Sequence, residues 1–274
     1  MPGMAFPLAL IGFGEAGSTF ACAGQWAGNV RGWDVLPDRR SLMAECGVAP
    51  AISAADALGQ ADMALSLVTA DAALPVAREY AASLPQGAIW CDMNSIAPQT
   101  KQEAAKAIEA AGGRYVDVAI LAPVNPARLA VPLLLAGAAA EEAAQKFAAL
   151  GFTNVRVVGS EVGRASAIKM VRSVMVKGVE ALTDEMMAAA AAAGVTDEVL
   201  ASLDASEKQV GWAERAAYNL ERMETHGFRR AAEMEEVAKT LSGFGVEPKM
   251  TTGTIARQRA AGERGAKLKG EKAA

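Results

Sequence analysis

Near the amino end an apolar run, Phe6 to Ile11, leads straight into Gly12-Phe13-Gly14-Glu15-Ala16-Gly17, and residues Ser18 to Ala27 have helical character. Few short stretches restrict a fold as much as three glycines at these offsets between a strand and a helix. The first permits a tight turn, the second lets the backbone come close to a pyrophosphate, and the third lets the helix pack on the strand. The free N–H groups at the helix start then face the phosphates. Gly12, Phe13, Gly14, Glu15, Ala16 and Gly17 are therefore the expected dinucleotide-binding turn. Gly32-Trp33-Asp34 follows at about the twenty-residue offset expected of a carboxylate that accepts the ribose hydroxyls. Asp34 repels a 2′-phosphate and favours NAD, while Arg39 and Arg40 just beyond could clamp that phosphate or simply start a solvated helix. NAD is the expected cofactor, with NADP left open.

Beyond the turn, helix-like and strand-like pieces alternate. Strands are expected at 63–68, 88–92, 115–118, 132–136 and 155–158, and helices near 39–46, 72–83, 99–111 and 141–150. This alternation argues for an α/β domain with a doubly wound parallel sheet. Ligands of such sheets bind at the carboxyl ends of the strands, which selects the loops after Val68, Asp92 and Asp117. The loop Met93-Asn94-Ser95-Ile96-Ala97-Pro98 is the most polar and compact of them.

From Val162 to Ala193 no proline intervenes, apolar residues recur at helical spacing, and an alanine run ends at Gly194. One helix of about 45 Å is expected there, long enough to leave one domain and found another. The division placed on this basis is 1–160 for the dinucleotide-binding domain and 161–274 for an all-helical domain entered through helix 162–193. Further helices are expected at 197–202, 206–223 and 228–241, with a break at Thr225-His226-Gly227, and a polar, Gly- and Lys-rich tail from about 259 is expected to fray.

Composition narrows the function. A formal charge of −4 argues against nucleic acid as a partner, and a single histidine, His226, argues against a His-based metal centre. Three cysteines (Cys22, Cys46, Cys91) without CxxC spacing suggest neither a disulfide framework nor zinc, so all three are read as reduced thiols. No apolar run reaches the span of a bilayer and no secretory signal is seen, so a cytoplasmic protein is expected.

Taken together, Gly12 to Gly17, then Asp92-Met93-Asn94-Ser95-Ile96-Ala97-Pro98, then Gly163 followed by Lys169 on a long helix, resemble the β-hydroxyacid dehydrogenase family that includes 6-phosphogluconate and 3-hydroxyisobutyrate dehydrogenases. The chain looks like a short, atypical branch with a divergent helical C-terminal domain. The resemblance implies a Rossmann-like domain, a long interdomain helix and a helical domain used for homodimerisation. It implies Lys169 as catalytic acid/base, Asn94 and Ser95 in contact with substrate and nicotinamide, and Val68 and Thr69 in contact with cofactor. Where the family usually has Asp-Ala-Pro-Val-Ser-Gly-Gly, this chain has Asp117 to Pro123 without the serine and glycines, and Ser173 stands where asparagine is usual. The substrate pocket is thus expected to be rewritten, with Ile120, Ser173 and Arg230 as candidate contacts. Arg229 and Arg230 equally fit a surface helix with Arg–Glu pairs at helical spacing.

A lysine among Ala165, Ala167, Ile168, Met170 and Val171 would lose hydration if that face packs on the first domain, which would lower its pKa toward the range useful for proton transfer. The expected function is an NAD(P)-dependent dehydrogenase or reductase acting on a small hydroxy acid or related alcohol. An imine reductase on the same fold, or a sensor that binds NAD(P)(H) without turnover, are the alternatives.

Overall fold

Leu8–Ile11, the run before the glycine turn, forms β1, and all four residues are buried. A strand covered by helices on both faces shows no polar alternation, which is why this segment reads as continuous apolar sequence. The computed structural model describes residues 7–26, 28–206 and 210–273; Phe6, Ala27 and 207–209, parts of expected elements, lie outside them. Two units are present, the first ending at Arg172 and the second beginning at Ser173.

In the first unit β1 pairs with β2 (Val30–Trp33) on one side and with β4 (Met63–Ser66) on the other. The sheet continues with β3 (Ala49–Pro50), β5 (Ile89–Asp92), β6 (Arg114–Ile120), β7 (Leu133–Ala136) and β8 (Val155–Gly159) in the order β3-β2-β1-β4-β5-β6-β7-β8. The connecting helices are α1 (Glu15–Gly24), α2 (Pro37–Met43), α3 (Ala54–Leu58), α4 (Ala73–Tyr80), α5 (Pro98–Ala110) and α6 (Ala140–Ala149). The sheet is doubly wound and mostly parallel, as expected, with one exception. β7 runs antiparallel to β6, because residues 121–132 hold only the short 3-10 turn Arg128–Ala130 and no crossover helix.

Each face of the sheet has its own core. Under α1 and α6, Phe152 meets Phe20 and Phe147 edge to face with ring centres 5.1 Å apart in both pairs. Such pairs add about 0.5–1.5 kcal/mol each beyond burial. Under α3, α4 and α5 the core is Ile11, Leu58, Ala77, Trp90 and Ile108. Strand order reverses between β1 and β4, so a crevice opens at their carboxyl ends in front of α1.

The remaining helices are α7 (Arg164–Ala193), α8 (Thr196–Ser206), α9 (Trp212–Gly243) and α10 (Lys249–Ala273). α7 ends where Gly194 adopts φ 69°, the left-handed conformation that closes a helix cheaply on glycine. The division between the units falls inside α7 rather than before it.

Two expectations fail in the helical part. The break at Thr225-His226-Gly227 does not exist, since α9 runs through it, and the tail from about 259 is helix to Ala273. Both errors have one cause. A Cβ on Gly227 would strike the backbone of Gln258 and Gly262, and one on Gly265 would strike the carbonyl of Glu224. Glycines that weaken an isolated helix here allow two backbones to come into contact, and that packing outweighs a propensity deficit of about 1 kcal/mol per glycine.

Candidate active site

The glycine turn is built as its spacing predicts. Gly12 has φ 95°, and a Cβ there would lie 2.5 Å from the carbonyl oxygen of Leu67. A Cβ on Gly17 would lie 2.6 Å from the carbonyl oxygen of Gly12, so α1 can seat on β1 only through glycine. Gly14 differs: nothing lies within 4 Å of the place its Cβ would take. Its open side belongs to a cavity of about 540 Å³ bordered by Gly12, Gly14, Glu15, Ala16, Asp34, Val68 and Thr69. Gly14 caps α1 without a side-chain hydrogen bond, leaving the first N–H groups of the helix to an incoming anion. These residues fit a dinucleotide pyrophosphate. Phe13 and Gly17 lie buried beneath the turn and shape it from below.

Asp34 is held in place: Phe13 N–H donates to Oδ2 at 2.7 Å and Leu36 N–H to Oδ1 at 2.9 Å. Each oxygen keeps lone-pair capacity for a ribose hydroxyl. The two arginines beyond it part company. Arg40 donates to the Asp34 carbonyl at 2.8 Å and stacks 4.7 Å from the centre of the Trp33 ring, whereas Arg39 borders the cavity.

One strand further along the sheet lies a buried polar cluster that the sequence analysis missed. Asp92 ends β5 and pairs in register with Asp117, midway along β6, and both are fully buried. Lys101, also fully buried, donates to the Asp92 carbonyl at 2.5 Å and to its Oδ1 at 2.9 Å, and stands 3.5 Å from Asp117 Oδ1. The Tyr115 hydroxyl donates to Asp92 Oδ2 at 2.6 Å; burial and the charge of Asp92 push its pKa up, so it stays a donor. Asn94 is fixed by Nδ2 donating to Asp92 Oδ1 at 2.8 Å and to Ser66 Oγ at 3.0 Å. Its Oδ1, also buried, has no hydrogen-bond partner among the described residues. The legible sign was the pair of aspartates: two carboxylates side by side on adjacent buried strands demand a counter-charge, and Lys101 on the helix after β5 supplies it.

Asp117 also starts α7. Its Oδ2 accepts from Gly163 N–H (3.1 Å), Ser166 N–H (2.9 Å) and Ser166 Oγ (3.0 Å). One turn on, Lys169 Nζ donates to Ser95 Oγ at 2.5 Å. Lys169 as a whole is half-buried. Arg172 Nη1 donates to the Leu121 carbonyl at 3.2 Å on the same first turns.

The three expected substrate contacts fall in different units. Ile120 is only 9% exposed and packs with Val118 and Val124 in the core under α1, because alternation along β6 turns it away from the Asp117 face. Ser173 and Arg230 belong to the second unit. A further correction concerns the cysteines. Cys22 on α1 and Cys46 after α2 form a disulfide with Cα atoms 4.3 Å apart, and only Cys91 is a free thiol, its pKa pushed up by burial. A separation of 24 residues carries no pairing signal; the parallel β1–β2 pair brings the two segments together.

Fold and site together define a dinucleotide-binding protein of the dehydrogenase type. Residues 7–159 match the NAD binding domain of 6-phosphogluconate dehydrogenase, and residues 190–261 match a domain of unknown function (DUF1932). The chain belongs to the β-hydroxyacid dehydrogenase family, with an NAD-binding first domain and a helical C-terminal region. A conserved hypothetical protein from Sinorhizobium meliloti 1021 is 39% identical, the match covering 94% of this chain and 88% of that one with a TM-score of 0.64. A conserved protein of unknown function, described as structurally similar to 3-hydroxyacid dehydrogenases, is 31% identical over 94% of this chain and 97% of that one, TM-score 0.63. An imine reductase from Myxococcus stipitatus in complex with NADP+ shares the fold at 20% identity, over 94% of this chain and 95% of that one, TM-score 0.77. Among the described residues no cluster suited to a metal ion occurs, and no helix is long and apolar enough to cross a membrane.

Proposed function

We propose that this protein is an NAD(P)-dependent oxidoreductase that interconverts a small hydroxy acid, or a related alcohol, with its carbonyl form, using Lys169 as acid/base. The observation that carries this reading is the contact of Lys169 Nζ with Ser95 Oγ at the carboxyl edge of the sheet. The bound nicotinamide supplies the hydride or takes it up. In the oxidation direction the substrate loses a hydride from carbon while neutral Lys169 takes the hydroxyl proton, leaving a C=O bond; in reduction the protonated amine returns that proton. Because Ser95 accepts from the amine, its own O–H is left to donate to a substrate oxygen. The unpartnered Asn94 Oδ1 is an acceptor for a donor on the bound group. Val68 and Thr69 border the cofactor cavity, and the fixed Asp34 carboxylate favours NAD over NADP.

The test is turnover of a panel of hydroxy acids with NAD and NADP, with Lys169→Ala expected to lose at least about a hundredfold in kcat/KM. Undiminished activity in that variant would remove the lysine from the reaction. Gly14→Val checks the cofactor site separately. With nothing within 4 Å of its Cβ position, it is expected to fold normally yet lose dinucleotide affinity, read by quenching of Trp33, which lines the cavity.

An imine reductase is the second reading, supported by fold similarity over nearly the whole of both chains. Reduction of a cyclic imine without activity on any hydroxy acid would favour it, and binding without turnover of either would favour a sensor. We also propose a homodimer through the helical unit, since Val174, Met175 and Val179 of α7 are exposed apolar residues. Light scattering at micromolar concentration that reports a monomer would reject it.

A further inference from the structure

The first unit spends three fully buried charges, Asp92, Lys101 and Asp117, on a place that touches no solvent. Such a cluster is weak as a stability device, because desolvation cancels most of the attraction. What it joins is more informative. Asp92 closes β5 and holds Asn94, next to Ser95, through both the Asn94 backbone N–H (2.9 Å) and its Nδ2. Asp117, midway along β6, accepts from Gly163, just before α7, and from Ser166 in its first turn, six and three positions before Lys169. Lys101 stands between the two carboxylates, and every distance in the chain of contacts is 3.5 Å or less. A second tie runs parallel to it: Gln102 Nε2 donates to the Val162 carbonyl at 3.2 Å, and a Cβ on Gly163 would press to 3.2 Å from the Pro98 Cβ. The segment bearing Ser95 and the helix bearing Lys169 come from different parts of the chain, yet both hang on one buried lysine.

We propose that Lys101 and Asp117 are positioning residues that set the Lys169–Ser95 contact, Lys101 by locking the end of β5 to the middle of β6 and Asp117 by fixing the axial and rotational setting of the first turns of α7. The proposal rests on the reading of Lys169 as acid/base for its catalytic meaning, but the geometry it asserts is separable from turnover. Neither residue reaches the reacting atoms. Each acts through the placement of groups that do, and an error of about 1 Å in such placement costs up to about a hundredfold in rate.

The full-length protein with bound NAD is the material for the test. Asp117→Asn is the informative variant. Its Oδ1 can still accept from Gly163 and Ser166, so the helix start keeps its cap, while its Nδ2 turns a second donor toward Lys101 and breaks the link. Ser166→Ala does the reverse, trimming the cap and leaving the link. Three quantities are compared with the parent protein: the dissociation constant of NAD by tryptophan fluorescence, the rate and pH dependence of trace acetylation at Lys169 by peptide mass spectrometry, and the kcat–pH profile. Asp117→Asn is expected to keep NAD affinity within about twofold, to shift the acetylation profile of Lys169, and to lower kcat at least about tenfold with KM for NAD little changed. Ser166→Ala is expected to shift the same profiles by less. Unaltered acetylation profiles in a well-folded Asp117→Asn protein would overturn the proposal. Should that variant lose NAD binding altogether, an unaltered profile in Ser166→Ala would overturn it equally. If the parent protein turns over no substrate, the reading of its function fails, and the labelling comparison still decides whether the cluster sets the amine.

Discussion

Two carboxylates start helices in this protein, and they do so in different company. Asp117 lies within a buried strand and receives Gly163 and Ser166 at the start of α7, while its other oxygen faces Lys101, which Asp92 shares. Glu185, within α7, receives Met250 N–H at 2.6 Å, Thr251 N–H at 2.9 Å and the Thr251 hydroxyl at 2.6 Å at the start of α10. The donors that hold Glu185 are neutral. A single carboxylate between helices can be satisfied by three hydrogen bonds, whereas two carboxylates side by side in a sheet interior require a cation. The first arrangement fixes one helix end. The second fixes two chain segments relative to each other, and those are the segments that carry Ser95 and Lys169.

Breaking the charged cluster is expected to have the largest effect. Lys101→Met leaves two buried carboxylates uncompensated and is expected to cost about 3–5 kcal/mol, read as a lowered urea midpoint. A loss no greater than that of Glu185→Gln would erase the distinction between the two helix starts. Next comes Gly265→Ala, which drives a methyl into the Glu224 carbonyl and is expected to cost about 1–3 kcal/mol. If it is neutral, α10 is seated by its Glu185 cap rather than by backbone contact with α9. Glu185→Gln itself is expected to cost about 1–2 kcal/mol, seen as faster amide exchange in α10 with the β-sheet unaffected.

The smallest effect is in pH dependence. Burial alone would raise the pKa of Glu185, but hydrogen bonds from Thr251 and Met250 outweigh it and hold the carboxyl below its ordinary value. The unfolded chain therefore binds the proton first as pH falls. The contribution of Glu185 is complete above the ordinary glutamate value of about 4.3 and disappears as pH drops through the lower folded value. Urea midpoints between about pH 6 and about pH 3 should fall less steeply in Glu185→Gln than in the parent. Equal slopes would mean that the carboxylate is not held as described.

Much of the first unit was legible because its signals are local. The turn at Gly12 to Gly17 is written in backbone sterics, since Gly12 needs a positive φ and Gly17 meets the Gly12 carbonyl. The all-buried β1 shows directly as uninterrupted apolar sequence. Ile120 shows the limit of this: its place after Asp117 was legible, but which way its side chain turns depends on the strand's register with its neighbours.

By itself, then, the sequence determined the alternation of strands and helices from β4 to β8, the dinucleotide turn and the lysine on the long helix, all of which follow from periodicity and steric rules acting over a few residues. Only the tertiary structure decided that Cys22 meets Cys46, that Lys101 stands between Asp92 and Asp117, and that a glycine-rich tail is a packed helix. The reason is physical: desolvation, counter-charge and backbone contact are properties of neighbours in space, and those neighbours here lie 9, 16, 24 or some 40 residues apart along the chain.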